Sequence, residues 1–417
     1  MAANGGIPLT HRTTFTSLIL ILATSVRAQT EPSVAQLVSQ AIAKSPTVAA
    51  RQHQVQEAEA MAKSLGSPKN PELELSPGVG FTNSNFVLGQ SFDLSGTRAA
   101  QARRARAEVD VAKARLRESQ LDVGSGFLTA YASYVAALSN ASNAKAGVEI
   151  AKATIEAIRK RIEIGEAPAL QLTRAEVELN RAEQSLTLAI ADLSVNRSMV
   201  NSLLGSEPTA EIPVVTWMPS AGDAALAQTA LGRHPMALEM RAKIEAARAA
   251  VFEARRMGLP SLFAGVAADT WSMDRRPFQN ENIGLQLRLT MPLFDRGENR
   301  YLIRSAEAAV KGREAELREA ERKIALDIQT ALEQLTAARE IAKSYETGIV
   351  PKAQQMVKAM QSGLESGLTS FLEVLEAQKT LAQLTREATD AKRNLRLAEV
   401  RFLTAAASLP GLEDPKP

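Results

Sequence analysis

Hydrophobic and polar residues alternate with a period of two in four short segments of the chain. The alternation is clearest in residues 283–293, where Ile, Leu or Met occupies every second position between Gly, Gln, Arg and Thr. Residues 73–81 and 86–94 show the same period, and residues 262–271 show it more weakly. This period predicts β-strands with one apolar and one polar face. We therefore expect two β-hairpins, spanning residues 72–94 and 261–293.

Long alanine-rich and charge-rich stretches before and after the hairpins predict helices. The run that follows the first hairpin, residues 97–163, contains no proline. A continuous helix there would be about 100 Å long at 1.5 Å per residue, which predicts a coiled-coil-like rod or tube and not a globular domain. Pro351 is expected to kink or break the matching run in the second half. The predicted helices span residues 34–66, 97–163, 169–204, 222–257, 297–364 and 370–407.

The same order of elements occurs twice, because the chain consists of two copies of one unit. Pro46 and Pro71 in the first copy match Pro235 and Pro260 in the second, both at an offset of 189 residues. The offset grows to 199 beyond the hairpin loops and to 202 in the later helices. So long a period indicates a duplicated half-molecule and not a short solenoid repeat. The first repeat is expected to cover residues 29–215 and the second residues 216–417.

The N-terminus has the features of a secretory signal peptide. His11 and Arg12 form a basic flank, and residues 15–26 form an apolar core of the expected length. Small residues at Val26 and Ala28 predict a signal peptide of residues 1–28. The alternative is an uncleaved membrane anchor, but the apolar run is shorter than the roughly 20 residues that a spanning helix needs. The sequence therefore predicts an exported protein.

Amphipathic strands in an exported protein fit a transmembrane β-barrel, which is apolar outside and polar inside. The alternative is a half-exposed sheet on a soluble domain, which the export signal and the long helices disfavour. Four strands cannot enclose a channel, and lipid does not tolerate open sheet edges. Three copies would supply twelve strands. The predicted fold is mainly α with a small membrane β-part: an internally duplicated chain whose long helices form an α-barrel and whose four strands join a 12-stranded β-barrel shared by a trimer.

Composition narrows the classes of protein further. The 417 residues include no cysteine, which excludes disulfides, thiolate metal sites, a cysteine nucleophile and a lipidated N-terminal cysteine. The formal net charge of +3 is small and evenly spread, so it gives no indication of nucleic-acid binding. Nothing in the sequence resembles a nucleophile triad, a phosphate-binding loop or a metal-hydrolase motif. We therefore expect neither an enzyme nor a bound cofactor.

Four local motifs resemble those of the TolC-like family of outer-membrane efflux proteins. "QSFDLSGTRAAQARRARAE" (residues 90–108) and "MPLFDRGENR" (residues 291–300) resemble the family's strand-to-helix junctions. "IGEAPALQLTRAEVELNRAE" (residues 164–183) and "SGLTSFLEVLEAQKTLAQ" (residues 366–383) resemble its two helix-hairpin tips. The junctions are most similar to those of the heavy-metal cation efflux branch, the CzcC-like proteins. The likeness covers essentially the whole mature chain.

The resemblance implies a homotrimer in the outer membrane of a Gram-negative bacterium, with a helical tube in the periplasm. It implies three partners: outer-membrane lipid, a periplasmic adaptor (membrane fusion) protein and an inner-membrane RND pump. The chain would be a passive exit duct for heavy-metal cations and not an enzyme. Export of organic toxicants, drugs or type I secreted polypeptides stays open, as does a periplasmic coiled-coil adaptor or scaffold without a pore. Many relatives carry a lipidated cysteine, which this chain lacks, so the barrel alone would anchor it.

The resemblance also suggests which residues line the periplasmic mouth. Glu373 and Glu376 are three residues apart, a spacing that places both carboxylates on one face of a helix. Acidic residues at these positions line the closed mouth in the TolC-like pattern, and a ring of six would attract cations. The alternative is an ordinary solvated acidic face. Gln171 and Arg174 are the equivalents in the first repeat, and Arg174 is expected to pair with Glu376 and hold the mouth shut.

The two tips are the expected sites of adaptor contact. Gly165 and Gly367 mark the turns at which a helix stops and reverses. Leu170 and Leu372 follow them as apolar residues near the surface, and the family's tips dock against adaptor helices. The alternative for the glycines is simple helix punctuation.

Histidine gives no indication of a metal site. His53 and His234 do not share a repeat position, and two scattered histidines without cysteine do not make a transition-metal site. We expect a surface role for both. If metal is the cargo, it would pass without firm capture, and selectivity would lie in the pump.

Overall fold

The computed structural model describes residues 33–76, 85–215, 217, 230–269, 282–291, 296–366 and 368–412. The helices are α1 (Val34–Lys44), α2 (Pro46–Gly66), α3 (Thr97–Glu163), α4 (Ala169–Leu203), α5 (Pro235–Arg256), α6 (Glu298–Ser344), α7 (Val350–Glu365) and α8 (Phe371–Ala405). The strands are β1 (Glu72–Ser76), β2 (Asn85–Phe92), β3 (Ser261–Asp269) and β4 (Asn282–Thr290). The predicted fold class, mainly α with a small β-part, is therefore confirmed.

The long helix after the first hairpin is confirmed over its whole predicted length. α3 runs for 67 residues without interruption from an N-cap at Gly96, whose φ of 73° places it in the left-handed region. Alanine is the commonest residue at its buried positions, so neighbouring helices can approach closely. α3 lies against α2, α4, α5 and α8. It is thus the central helix of an elongated bundle about 100 Å long at 1.5 Å per residue.

The prediction of one continuous helix over residues 34–66 is wrong. The chain leaves the helix at Ser45, which is extended with φ −71° and ψ 122°, and α2 begins at Pro46. Proline has no N–H to donate and disfavours the helical conformation of the residue before it. The second half behaves in the same way: His234 is extended and Pro235 begins α5. Residues 222–229 of the matching predicted helix lie outside the described residues.

Pro351 does not break the helical run in the second half. A π-helical turn, Tyr345–Ile349, lies directly before it, and Pro351 falls in the first turn of α7. Because proline cannot donate the usual hydrogen bond to the residue four positions earlier, a local π turn keeps the run helical around it. The Tyr345 hydroxyl donates to Oε2 of Glu387 on α8 at 3.1 Å, which attaches this turn to the neighbouring helix.

The four strands form one antiparallel sheet in the order β1-β2-β3-β4. Pairing of β2 with β3 joins the hairpins of the two halves. The register places Leu73, Leu88, Val266 and Leu285 side by side. One face of the sheet is consequently apolar across all four strands. Its members are Leu73, Leu75, Phe86, Leu88, Phe92, Leu262, Ala264, Val266, Ala268, Ile283, Leu285, Leu287 and Leu289. Val79, Phe81 and Leu293, which were also predicted for the strands, lie outside the described residues.

The other face of the sheet is largely polar but includes one aromatic side chain. The Phe263 ring lies over Gly89, where an added Cβ would overlap the ring, and over Gly265. The guanidinium of Arg288 lies 5.3 Å from the centre of the same ring. Glycine on two adjacent strands therefore makes room for an aromatic side chain that packs across them.

Two apolar clusters hold the middle of the bundle together. The larger includes Val38, Phe127, Leu128, Tyr131 and Val200, and therefore joins α1, α3 and α4. The smaller joins α6 to α8 through contacts that include Leu335 and Phe402. Among the residues that the structure describes, no helix is both long and apolar enough to cross a bilayer.

Candidate functional site

The first hairpin tip is a compact helix stop followed by a new helix. α3 ends at Glu163 with Ile164 as its C-cap, and Gly165 adopts φ +80°. The amide of Gly165 donates to the carbonyl oxygen of Ile162 at 3.0 Å, and that of Glu166 donates to Arg161 at 2.8 Å. These two bonds form a Schellman motif, which needs a left-handed residue. Pro168 then caps α4, and the Leu170 side chain in its first turn is exposed.

The second tip begins α8 with a complete capping box that the sequence interpretation missed. The Ser370 hydroxyl accepts from the amide of Glu373 at 3.3 Å, and the Ser370 amide donates to Oε2 of Glu373 at 2.7 Å. The signal is visible in the sequence as Ser-x-x-Glu before an apolar run. Gly367, the predicted turn residue, lies outside the described residues.

The two tips pack against each other through a small apolar cluster. Phe371 at the start of α8 is buried against a group that includes Ile158 of α3 and Ala175 of α4. This contact fixes the position of the second tip relative to the first. Four large apolar side chains near the tips stay exposed: Ile164, Leu170, Leu368 and Leu372. Leu368, which is 85% exposed, was not among the predicted contact residues.

The two predicted mouth carboxylates have different surroundings. Glu373 is exposed, but its carboxylate is engaged in the capping box of its own helix. Glu376 is exposed, and its side chain has no ion pair within the described part of this chain. Arg174 is exposed on α4 and likewise has no ion pair with Glu376 in the single chain. Gln171 is half-buried in the first turn of α4.

The charged link between α4 and α8 lies one turn further from the tips. Nζ of Lys379 lies 2.8 Å from Oε1 of Glu178, and Nη1 of Arg181 lies 3.1 Å from the same oxygen. Lys379 and Glu178 also line a groove of about 240 Å³ that Arg174 and Leu372 border. The structure therefore brings together Arg174 and Leu372, which the sequence placed in separate sites.

A larger groove of about 410 Å³ continues from this point along the bundle. Small side chains of α3, among them Gly147 and Ala151, form one wall. Residues of α4, α7 and α8 complete it, including Ser185, Gln361 and Gln378. The two helical hairpins therefore diverge here and leave an open furrow between them.

Neither histidine takes part in a metal cluster. The described residues contain no group of three or more His, Cys, Asp or Glu side chains that could hold a metal ion. His53 is exposed and lies 3.1 Å from Gln56. His234 is half-buried and not on the surface as expected: its Nδ1 accepts from the amide of Met236 at 3.3 Å and caps α5. Burial lowers the pKa of His234, in keeping with a neutral, accepting ring.

Long helical hairpins attached to a small sheet with one exposed apolar face define a class, the elongated channels of the outer membrane. The solved structure of the transmembrane channel CusC shares this fold, with a TM-score of 0.76, 18% identity and coverage of 91% of this chain and 93% of CusC. The sequence profile of the family described as outer membrane efflux protein matches residues 37–206 and 226–408. The chain belongs to this family.

Two relatives from the curated proteins are similar over most of the chain. The cobalt-zinc-cadmium resistance protein CzcC of Cupriavidus metallidurans is 27% identical over 72% of this chain and 71% of its own length. The nickel-cobalt-cadmium resistance protein NccC of Alcaligenes xylosoxydans is 24% identical over 68% of this chain and 66% of its own length. The resemblance to TolC-like efflux proteins and to their CzcC-like branch is thereby confirmed.

Proposed function

We propose that this chain is the outer-membrane subunit of a tripartite, RND-type efflux system and forms a passive exit duct for heavy-metal cations. In this proposal three copies make a continuous tube, with the sheets in the outer membrane and the helical bundles in the periplasm. A periplasmic adaptor protein and an inner-membrane pump complete the system. The chain itself catalyses no reaction in this proposal.

The observation that carries the proposal is the exposed apolar face of the sheet. Leu285 is 88% exposed and Leu287 is 74% exposed, and both lie on the face that runs across all four strands. Apolar surface in water costs about 25 cal/mol for every Å², so a patch of this extent is expected to be covered. Lipid is a suitable cover because the opposite face is polar, as in a membrane barrel with a wet interior.

The two sheet edges, which are unpaired among the described residues, support assembly into a homotrimer. Backbone groups in lipid must all be hydrogen-bonded, so an open sheet edge is not tolerated there. A sheet of four strands is too small to enclose a channel, whereas three copies supply twelve strands. The same threefold arrangement would close the helical bundles into a tube around one axis.

The tips are proposed to dock against the adaptor. Exposed leucines on the two tips offer apolar contacts at the end of the bundle, and the candidates are Leu170, Leu368 and Leu372. Gly165 positions the first tip through its left-handed conformation, and Gly367 has the corresponding place in the sequence of the second.

The periplasmic mouth is proposed to carry Glu376 and Glu373 from each chain. The Glu376 carboxylate and the Arg174 guanidinium are both exposed, and neither forms an ion pair within the described part of the chain, which supports an ion pair between neighbouring copies. Gln171 would lie beside them. Such a ring favours cations, in agreement with the metal cations in the names of CzcC and NccC.

Membrane fractionation of two matched variants tests the duct. The wild-type protein is expected to stay with the outer membrane after a carbonate wash. Leu287→Asp places a charge on the apolar face and should be lost from that fraction, since a lipid-facing charge costs several kcal/mol near the bilayer centre. Gln286→Asp, its neighbour on the polar face, is the control and should be retained. Recovery of the wild-type protein in the wash would identify a periplasmic scaffold without a pore.

Growth of a deletion strain tests the cargo. Loss of the gene is expected to lower the tolerated concentration of one or more of the Co, Zn, Cd, Ni, Cu and Ag salts, and the wild-type gene should restore it. A panel of dyes and drugs is the parallel arm. Sensitivity confined to that panel would assign the duct to organic toxicants and contradict the metal proposal.

A further inference from the structure

The sheet has two edges that carry opposite charge, and the inference drawn from them rests on the proposed trimeric duct. Within the described residues, β1 pairs only with β2 and β4 pairs only with β3. All three pairings are antiparallel, so β1 and β4 run in opposite directions. The β4 edge of one copy can therefore be extended by the β1 edge of another in the same antiparallel sense.

The charges lie on one face of the sheet. Glu72 lies in line with Gly89, Gly265 and Gln286, and Glu74 lies in line with Val87 and Ala267. Both carboxylates are thus on the polar face of β1, where they are exposed. Arg288 is on the polar face of β4, opposite Phe263 in the register. The Phe263 ring packs against the guanidinium and keeps it on that face.

These groups cannot pair within one chain. Three strand spacings of about 4.8 Å separate β1 from β4, which places the two edges roughly 14 Å apart. In adjacent strands, by contrast, residues directly opposite each other lie about 5 Å apart, and long side chains also reach the diagonal neighbour. A single arginine on β4 can then reach both carboxylates of a paired β1.

Where the β4 edge of one copy meets the β1 edge of the next in the proposed barrel, we propose that Arg288 forms an ion pair with Glu72 and Glu74 of the neighbouring copy on the polar face. Because side chains alternate between faces, only every second register places these charges on the same face of the sheet. The same registers align Leu73 and Leu75 with the leucines of β4 on the lipid-facing side. Charge and hydrophobicity therefore select the same set of registers at the seam between subunits.

Disulfide cross-linking tests the seam, and the absence of native cysteine means that engineered thiols are the only ones present. R288C combined with E72C or with E74C is expected to give covalent dimers and trimers on non-reducing gels after oxidation. R288C combined with L73C is the matched control. Leu73 lies on the opposite face, so this pair should form no cross-link and should run as a monomer on the denaturing, non-reducing gel. Equal cross-linking by the control, or none by either test pair in an intact trimer, overturns the register.

Charge reversal tests the ion pair. R288E places three acidic side chains together at each seam. It is expected to reduce the amount of heat-resistant trimer by about tenfold or more, which corresponds to a loss of about 1.4 kcal/mol in association free energy. Adding E72R and E74R to R288E should restore most of the trimer. A variant that simply misfolds would not be rescued by two further substitutions, so failure of rescue, or full stability of R288E alone, contradicts the proposal.

The wild-type protein separates this inference from the proposed function. A wild-type chain that is monomeric or absent from the outer membrane refutes the duct itself. A wild-type trimer in the outer membrane whose stability does not respond to charge at position 288 leaves the duct intact and refutes the ion pair.

Discussion

Arg115 on α3 donates from Nε to Oε1 of Glu239 on α5 across 2.9 Å, and this bond joins the two halves of the duplicated chain. Lys243 approaches the same oxygen at 2.9 Å. Glu239 is buried. Burial alone would raise its pKa, but the hydrogen bonds from Lys243 and Arg115 outweigh burial and hold the pKa of Glu239 below its ordinary value of 4.5.

Glu239→Gln is therefore expected to destabilise the bundle. It removes the charge that two cations share, and we expect a loss of about 1–2 kcal/mol, since Arg115 is partly solvated. The measurement is the thermal unfolding midpoint by circular dichroism. Because the pKa of Glu239 is lowered, its contribution is present above pH 4.5 and disappears as the pH falls through the lower folded value. The difference from wild type should shrink accordingly in acid.

Glu319→Gln is the control for this prediction. Its partner Arg322 lies 3.9 Å away and both side chains are exposed, so the midpoint should change little. Equal changes in the unfolding midpoint would show that the buried link between the halves contributes no more to stability than an exposed ion pair.

Glu399→Gln is expected to act in the opposite direction. Nε1 of Trp217 donates to Oε2 of Glu399 at 2.5 Å, and burial raises the pKa of Glu399 despite that bond and the nearby Arg339 and Arg396. A raised folded pKa means that stability is lost as the pH rises from 4.5 through the folded value. The glutamine keeps an acceptor for Trp217 without the buried charge, so the variant should unfold at a higher temperature than wild type at pH 7.

The pH dependence provides the check on Glu399. Below pH 4.5 the native glutamate is protonated in both states, so the two midpoints should converge there. A variant that is less stable than wild type at pH 7 would show that the ionised carboxylate, held by the two arginines, contributes favourably.

Helix boundaries show how far the sequence alone could define the fold. The uninterrupted α3 was predictable because residues 97–163 contain no proline and are rich in alanine. The break at Ser45 differs from the prediction because Pro46 disfavours the helical conformation of its predecessor, even within a stretch of helical composition. The capping box at Ser370 was equally visible in the sequence.

The contact of Phe263 with Gly89 could not be predicted from the sequence, because it depends on the register between strands from different halves. The proposed mouth and adaptor contacts would involve other chains, so the residues predicted for them stay predictions.

Gly165 is predicted to be required for its backbone conformation alone. Its φ is +80°, and a Cβ there would meet no atom within 4 Å. Gly165→Val should therefore cost about 1–2 kcal/mol through left-handed strain, whereas Gly165→Asn should be tolerated much better because asparagine adopts this conformation more readily. Thermal unfolding of both variants is the measurement.

Gly126→Ala is the matched control for Gly165. Gly126 lies within α3, also has open space around its Cα, and has no positive φ. Alanine there should stabilise the helix by about 0.5–1 kcal/mol. If Gly165→Val were as stable as wild type, the left-handed turn could not be what terminates α3.

Phe263 and Gly89 are predicted to be energetically coupled. Gly89→Ala alone forces a Cβ into the Phe263 ring and should lower the temperature at which the folded sheet is lost on a heat-modifiability gel. Phe263→Ala removes the obstacle, so the double variant should be more stable than the sum of the single effects predicts. Neighbouring residues of this kind couple by about 0.5–3 kcal/mol. Strict additivity would contradict the packing of the ring on the glycine.

Ser370 and Glu373 allow the structural and the electrostatic role of the second tip to be separated. Ser370→Ala removes the hydroxyl that accepts from the Glu373 amide and should cost about 1 kcal/mol of stability, with no change in the cation preference of the reconstituted channel. Glu373→Gln keeps an oxygen that can accept from the Ser370 amide but removes the charge. If Glu373 belongs to the mouth, its variant should reduce cation preference while unfolding close to the wild-type temperature. Loss of stability without any change in ion preference would make Glu373 a cap alone and leave Glu376 as the remaining acidic candidate for the constriction.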